Sequence, residues 1–264
     1  MLEAHARRRD VQPRKMALPQ HDMRAVILAG GLGTRLRSLV SDRPKPMADI
    51  DGKPFLEYQI EFLKRYRIVH LVLCVGYLHE HIQQRFKDGT GLDVSIDYSI
   101  EDRPLGTAGA LKHAQKRLEG SGTFLVLNGD SYFEVDLRRL IQFHERKKAE
   151  DRRCLGTIAL AEMPDVSSYG SIQTDREGRI LSFKEKPDES NGSIQINAGM
   201  YVLEPDMLNW IPGSIKVSLE TETFPSVLEG GHHLFGYPAQ GFFADIGTPD
   251  GYRRFRDYLE ERRR

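Results

Sequence analysis

The chain has 264 residues, 39% hydrophobic and 29% charged, the ordinary composition of a soluble globular protein with room for one large α/β domain or two small ones. Basic and acidic residues balance at 38 each, which argues against a nucleic-acid binder working by bulk charge, so an anionic ligand must be met locally. No apolar run reaches membrane-spanning length, and the two cysteines, Cys74 and Cys154, lie in apolar strand-like runs and read as buried thiols of a reducing, cytoplasmic protein.

Residues 1–22 are basic and irregular and are expected to form a disordered leader, with the rest of the chain, 23–264, as a single domain. Ala25-Val26-Ile27-Leu28-Ala29 is short and wholly apolar, the pattern of a strand buried on both faces. It breaks into Gly30-Gly31-Leu32-Gly33, followed by Thr34, Arg35, Arg37 and then Lys45 between two prolines. Glycines let backbone N–H groups approach a ligand, and fixed cations offset charge, so this stretch suits a polyphosphate. The Lys-Ser/Thr pair of a P-loop is absent, and Leu36 stands where a dinucleotide fingerprint needs its third glycine.

Asp51-Gly52-Lys53-Pro54 reads as a turn, and Phe55, Tyr58, Phe62, Leu63 and Tyr66 recur at helical spacing. Val69 to Val75 is a second buried strand ending at Gly76, and Leu78 to Phe86 a helix. Its His79-Glu80-His81 is a surface feature rather than a metal site, because residues two apart do not share a helix face. Val94 to Tyr98 is a strand, and Pro104 to Leu111 a glycine turn opening a small-residue helix whose backbone can approach something flat or anionic. Thr123 to Leu127 is a buried strand ending in Asn128-Gly129-Asp130, with the carboxylate where open α/β sheets place ligands. Leu137, Leu140, Ile141 and His144 mark a helix that runs into a charged, solvated end.

Strand and helix alternate up to this point, which predicts a parallel sheet; short strands with tight turns then predict antiparallel ribbons. Leu155 to Ala161 is a strand, Glu177-Gly178 a hairpin-like turn, and Ile196 to Val202 a strand with Gly199 inside it. Phe224, Val227 and Leu228 mark a helix for which Thr221 or Thr223 is the expected cap, and His232-His233 are expected at the surface or at a strand end. Gly241 to Ala244 is the last strand. Thr248 as cap and Pro249 at the first helical position start a closing helix with Tyr252, Phe255 and Leu259 inward.

The segments Gly30-Gly31-Leu32-Gly33-Thr34-Arg35-Leu36 with Lys45-Pro46, Leu105-Gly106-Thr107-Ala108-Gly109-Ala110-Leu111, Gly129-Asp130, Tyr169-Gly170, Glu185-Lys186-Pro187, Asn197-Ala198-Gly199 and Asp245-Ile246-Gly247-Thr248-Pro249 occur in the order seen in the sugar-1-phosphate nucleotidyltransferases. On these motifs the chain resembles that family. The resemblance implies a Rossmann-like, mostly parallel mixed sheet flanked by helices, of the GT-A-like nucleotide-diphospho-sugar transferase type, with a small antiparallel β-ribbon part. It implies a nucleotide-binding part at 23–150 and a sugar-phosphate-binding part at 151–264. Nucleotide would be met by Leu28, Ala29, Gly30, Gly31, Gly33, Thr34, Gly76, Gly106, Thr107 and Ala108. The sugar phosphate would be met by Gly129, Gly170, Glu185, Lys186, Asn197 and Gly199. Arg35, Lys45, Asp130 and Lys186 would be catalytic, and Asp130 with Asp245 would hold Mg²⁺.

Within the family, the run from Arg35 to Ala48 and the ending Asp245 to Tyr252 are similar to the D-glycero-α-D-manno-heptose 1-phosphate guanylyltransferases. The implied substrates are GTP and that heptose 1-phosphate, with no nucleic acid and no membrane as partner. Mannose 1-phosphate with GTP is the nearest rival, then glucose 1-phosphate with a thymidylyl, uridylyl or cytidylyl donor. A silent nucleotide-sugar-binding regulatory subunit is the non-enzymatic alternative; it should have lost cation or metal positions, and none is lost here.

Overall fold

The computed structural model describes residues 23–31, 44–163, 171–184 and 194–263. The chain opens with β1 (Arg24–Leu28), then a hairpin of β2 (Asp49–Ile50) and β3 (Lys53–Pro54) whose turn, Asp51-Gly52, has φ of 55° and 79°. Positive φ at both central residues is the turn whose twist matches a hairpin. α1 (Phe55–Arg65), β4 (His70–Val75), α2 (His79–Phe86), β5 (Ser95–Ile100), α3 (Gly106–His113) and β6 (Phe124–Asn128) continue the alternation read from the sequence. β7 (Ser131–Phe133) and α4 (Leu137–Glu150) follow, then β8 (Cys154–Met163), β9 (Ser171–Thr174), β10 (Ile180–Lys184) and β11 (Ile194–Leu203). α5 (Phe224–Glu229), β12 (His233–Ala239), β13 (Phe243–Asp245) and α6 (Pro249–Arg263) complete the described elements.

Among the described residues nine strands form one mixed sheet. Its centre is β6-β1-β4-β5, all parallel, and β11 joins antiparallel to β6. β8 then pairs antiparallel with β11 and parallel with β12, while β9 and β10 form an antiparallel ribbon beside β11. This is the predicted mostly parallel sheet with ribbons in the second part. The period of two divides the core as it should. Ala25 and Ile27 pack with Phe55, Leu56, Ile60, Leu137, Leu140 and Phe255 on one face; Val26 packs with Ala108, Leu111, Phe224 and Val227 on the other. Helices on both faces leave no wet side, which is why β1 carries an unbroken apolar run.

One local expectation changes. The helix at Phe224 is entered through a π-helical turn, Leu219–Thr223, and its cap is Ser218, whose Oγ accepts from Glu220 N and Thr221 N at 3.2 Å each. Thr223 is buried and caps nothing. His233 stands at the start of β12, the strand end expected of it, and its Nδ1 pairs with the Asp151 carboxylate. The cap at Thr248 is as expected, accepting Gly251 N at 3.1 Å. No helix among the described residues is long and apolar enough to cross a membrane.

Candidate active site

The chain runs from β1 outward to β4 and β5, then returns to place β6 on the other side of β1. Open sheets have a crevice at such a reversal, beyond the carboxyl ends of the strands. A cleft of about 480 Å³ lies there, lined by Leu28 to Gly31 from the end of β1, Asn128 to Asp130 from the end of β6, and Leu105 to Thr107 at the start of α3. Lys45, Pro46, Glu101 and Lys216 complete its main walls. Leu28, Ala29, Gly30, Gly31, Lys45, Gly106, Thr107, Gly129 and Asp130, all expected from the sequence, therefore share one cavity.

Gly30 has a packing reason to be glycine: a Cβ there would stand 2.5 Å from Glu101 Oε1. Gly76 packs against Gly30, its own Cβ position 3.2 Å from the Gly30 carbonyl, so it backs the loop from behind. Gly33, Thr34, Arg35, Gly170, Glu185 and Lys186 lie outside the described residues.

Lys45 opens a short 3-10 turn, Lys45–Met47, and its Nζ lies 3.1 Å from Asp130 Oδ2. Asp245 arrives from the far end of the chain on a ribbon that the sequence did not disclose. β13 pairs antiparallel with β7, setting Asp245 opposite Ser131, and Ile246 N donates to the Asp130 carbonyl at 2.9 Å. Gly247 shows how close the groups come. A Cβ built on it would be 2.7 Å from Asp245 Oδ1, 2.8 Å from Lys45 Nζ and 3.3 Å from Asp130 Oδ2. Two carboxylates and one ammonium thus converge on a single point beside the cleft. The loop that carries Asp130 is held from below by Gln59, 1% exposed, whose Nε2 donates to the carbonyls of Asn128 at 2.9 Å and Ser131 at 2.8 Å.

The start of α3 behaves differently from its sequence reading. The Ala108 and Gly109 amides do not face a ligand; they donate to the Val217 carbonyl at 3.0 and 3.3 Å, and Ala108 is fully buried. A Cβ on Gly106 would meet that carbonyl at 2.4 Å, and one on Gly109 the Ile215 carbonyl at 2.7 Å. The small residues admit the strap 215–217, which brings Lys216 into the cleft wall. Glu101 lies opposite, 9% exposed, its Oε2 accepting Leu105 N at 3.0 Å. Burial pushes its carboxyl above the ordinary value, and the Leu105 N–H offsets only part of this. No described residue donates to Oε1. Asn197 and Gly199 sit on β11 beside Asn128: Gly199, at φ 68°, is where the Asn128 side chain needs room, its Cβ position 2.8 Å from Asn128 Nδ2.

Gln59, Glu101, Asn128 and Lys216 were not singled out from the sequence. Gln59 alone left a signal there, a polar residue among the apolar positions of an amphipathic helix.

Residues 24–262 match the nucleotidyl transferase family. The chain belongs to it. It is 40% identical over 236 residues, 88% of its length and 98% of the relative's, to the D-glycero-alpha-D-manno-heptose 1-phosphate guanylyltransferase of Campylobacter jejuni. It is 39% identical over 238 residues to the enzyme of the same name from Aneurinibacillus thermoaerophilus, covering 90% of this chain and 99% of that one. The mannose-1-phosphate guanylyltransferase of Mycobacterium tuberculosis is 36% identical over 235 residues, 89% of this chain and 64% of its own. Among solved structures, HddC from Yersinia pseudotuberculosis, complexed with GMP-PN, superposes with a TM-score of 0.76 at 33% identity, covering 90% of this chain and 99% of that one. Nucleotidyl transferases of this family typically use a divalent metal. Among the described residues no three His, Cys, Asp or Glu side chains form a metal cluster by themselves. The donor set at Asp130 and Asp245 still fits a hard cation, which takes one or two carboxylates and completes its shell with water and substrate phosphates.

Proposed function

We propose that the chain joins GTP and D-glycero-α-D-manno-heptose 1-phosphate, giving GDP-heptose and pyrophosphate. The observation that carries this reading is the meeting of Lys45, Asp130 and Asp245 at one point beside a cleft at the β1/β6 reversal. The relatives matched over nearly their full length support the substrate pair.

A phosphate oxygen of the sugar 1-phosphate attacks the α-phosphorus, the new P–O bond forms, and the bond from the α-phosphorus to the bridging oxygen of pyrophosphate breaks. The nucleophile is already an anion at neutral pH, so no general base is needed. The barrier is repulsion between two anions and charge on the leaving group, and the protein lowers it by positioning and neutralisation. Lys45 would turn from Asp130 to the α-phosphate, Arg35 would meet the triphosphate, and Lys186 the sugar phosphate. The Gly30–Gly31 backbone lets the phosphates approach closely. Mg²⁺, held by Asp130 and Asp245, would supply further charge neutralisation at the reacting phosphates.

Glu101 supports guanine as the base. An ionised carboxylate only accepts, and the guanine edge offers an N1–H and an exocyclic amine as paired donors. A donor at Oε1 would also relieve the buried carboxylate.

The test is pyrophosphate release from four nucleoside triphosphates against heptose, mannose and glucose 1-phosphates. GTP with the heptose should be fastest. Release with mannose 1-phosphate alone would overturn the heptose assignment, and silence in every combination would leave the regulatory-subunit reading. Release should also stop in excess chelator and return with Mg²⁺; undiminished turnover would remove Asp130 and Asp245 as metal ligands.

A further inference from the structure

We propose that Glu220 is a positioning residue that ties the α3 wall of the cleft to β11 and, through Tyr201, sets which way the Asn197 amide on the sugar side faces. The inference rests on the nucleotidyltransferase reading above, with Asn128 and Asn197 on the side of the sugar phosphate.

Glu220 sits on the π-helical turn Leu219–Thr223, a rare geometry that favours functional positions. The cap of that turn does not require its carboxylate at the backbone, because Glu222 accepts Ser218 N at 2.9 Å. Glu220 instead gathers hydroxyls. Its Oε2 accepts from Thr107 Oγ1 at 2.7 Å and Ser218 Oγ at 2.8 Å, and its Oε1 accepts from Tyr201 OH at 3.0 Å. Thr107 lines the cleft from α3, and Tyr201 lies fully buried on β11. One carboxylate therefore links the α3 wall of the cleft to β11, the strand antiparallel to β6, whose end carries Asn128.

Direction follows from chemistry. An ionised carboxylate has no proton to give, so Tyr201 must donate to it and its oxygen is left as an acceptor. Burial, then the Glu220 charge, push the phenol well above its ordinary range, so that proton stays on Tyr201. Asn197 Nδ2 donates to the Tyr201 oxygen at 3.1 Å, and the Asn128 amide lies against the same hydroxyl. The Asn197 amide is thus turned NH₂ first toward Tyr201. The Asn197 carbonyl accepts Gly199 N at 2.8 Å. The Asn128 Oδ1 is buried with no partner among the described residues, although Asn128 itself lines the cleft. A buried acceptor left unpaired is unfavourable, and a hydroxyl of the bound sugar phosphate would satisfy it.

The experiment is steady-state kinetics in both substrates on the full chain, for the wild type, Tyr201→Phe, Glu220→Gln and Glu220→Leu, with far-UV circular dichroism to check folding. Tyr201→Phe should raise KM for the sugar 1-phosphate about tenfold, one hydrogen bond's worth, with kcat and the nucleotide KM within about twofold. Glu220→Leu should raise both KM values, because Thr107 and Tyr201 each lose their acceptor. Glu220→Gln should restore the sugar KM, its carbonyl accepting from Tyr201 and its NH₂ turned to Thr107 and Ser218. An unchanged sugar KM in Tyr201→Phe, an equal rise in both KM values there, or a glutamine variant as impaired as leucine would each overturn the proposal. If the leucine variant does not fold, the other two decide. A wild type silent with every substrate pair refutes the enzymatic reading instead, so the two failures are distinct.

Discussion

Lys45 and Asp130 form an ion pair whose partners lie 11% and 32% exposed, a charged contact at a cleft rather than a buried staple. Its removal should be felt in turnover more than in folding. Lys45→Met and Asp130→Asn are each expected to lower kcat about 10²–10³-fold, the usual cost of one charge-stabilising group, with circular dichroism spectra unchanged. A fall under about fivefold in either would displace the pair from the chemistry. Glu101→Gln exchanges an acceptor-only group for one that also donates. The expected outcome is lower kcat/KM for GTP by about tenfold and a gain for UTP, whose base presents both kinds of group, measured as the ratio of the two. These residues mark how far sequence reading reaches. Gly30, Gly31, Lys45, Asp130 and Asp245 were legible because local motifs carry them. Asn128 and Gln59 were not, because each meets partners remote in the chain: Gln59 supports a carbonyl 69 positions away. Nothing adjacent to such a residue records the contact.

The elements were legible where their apolar period is long. β1, β4 and β6, buried on both faces, and α1, with one apolar stripe, stand where the pattern placed them. Of the β7–β13 ribbon only β13 was read, as the last strand; β7 and the pairing were not, because three residues are too few to show a period. It matters most, since its register sets Asp245 beside Asp130. The start of α3 is the opposite case: the glycines were seen and their reason was not, because they make room for protein backbone. That reason can be tested against Gly31, which has nothing within 4 Å of its Cβ position. Gly106→Ala meets the Val217 carbonyl at φ 72° and should cost about 1–3 kcal/mol, lowering Tm by about 2–6 °C. Gly31→Ala should leave Tm within about 1 °C, consistent with a surface substitution, and raise KM for the nucleotide. Equal Tm losses in the two variants would refute the packing account of α3.

The parallel half of the sheet bears the cleft, and the antiparallel half has its own polar anchor. His144 on α4, fully buried, contacts Thr157 Oγ1 of β8 at 3.0 Å through Nδ1 and Glu204 Oε1 at 3.0 Å through Nε2. Lys148 Nζ lies 2.7 Å from Glu204 Oε2, and Thr123 Oγ1 donates to Oε1 at 2.5 Å. Glu204 follows directly on β11, so one carboxylate joins α4, β11 and the entry to β6. Burial by itself would raise this carboxyl, but the bonds from His144, Lys148 and Thr123 outweigh it and bring it down to about 2. A folded value below the unfolded one means stability that is present above the unfolded value, about 4.5, and lost as pH falls toward 2. The full difference corresponds to about 3 kcal/mol. Because the group sits at the seam between the halves and none of Thr123, His144 and Lys148, its partners, lines the cleft, its protonation should weaken folding without first altering the chemistry. Glu204→Gln is therefore expected to melt below the wild type at pH 7, with the gap closing between about pH 4.5 and pH 2 as the wild type takes up its proton. Thermal melts of both proteins across that range are the measurement. A gap that stays constant, or widens as the solution is acidified, would show that Glu204 does not hold the two halves by its charge.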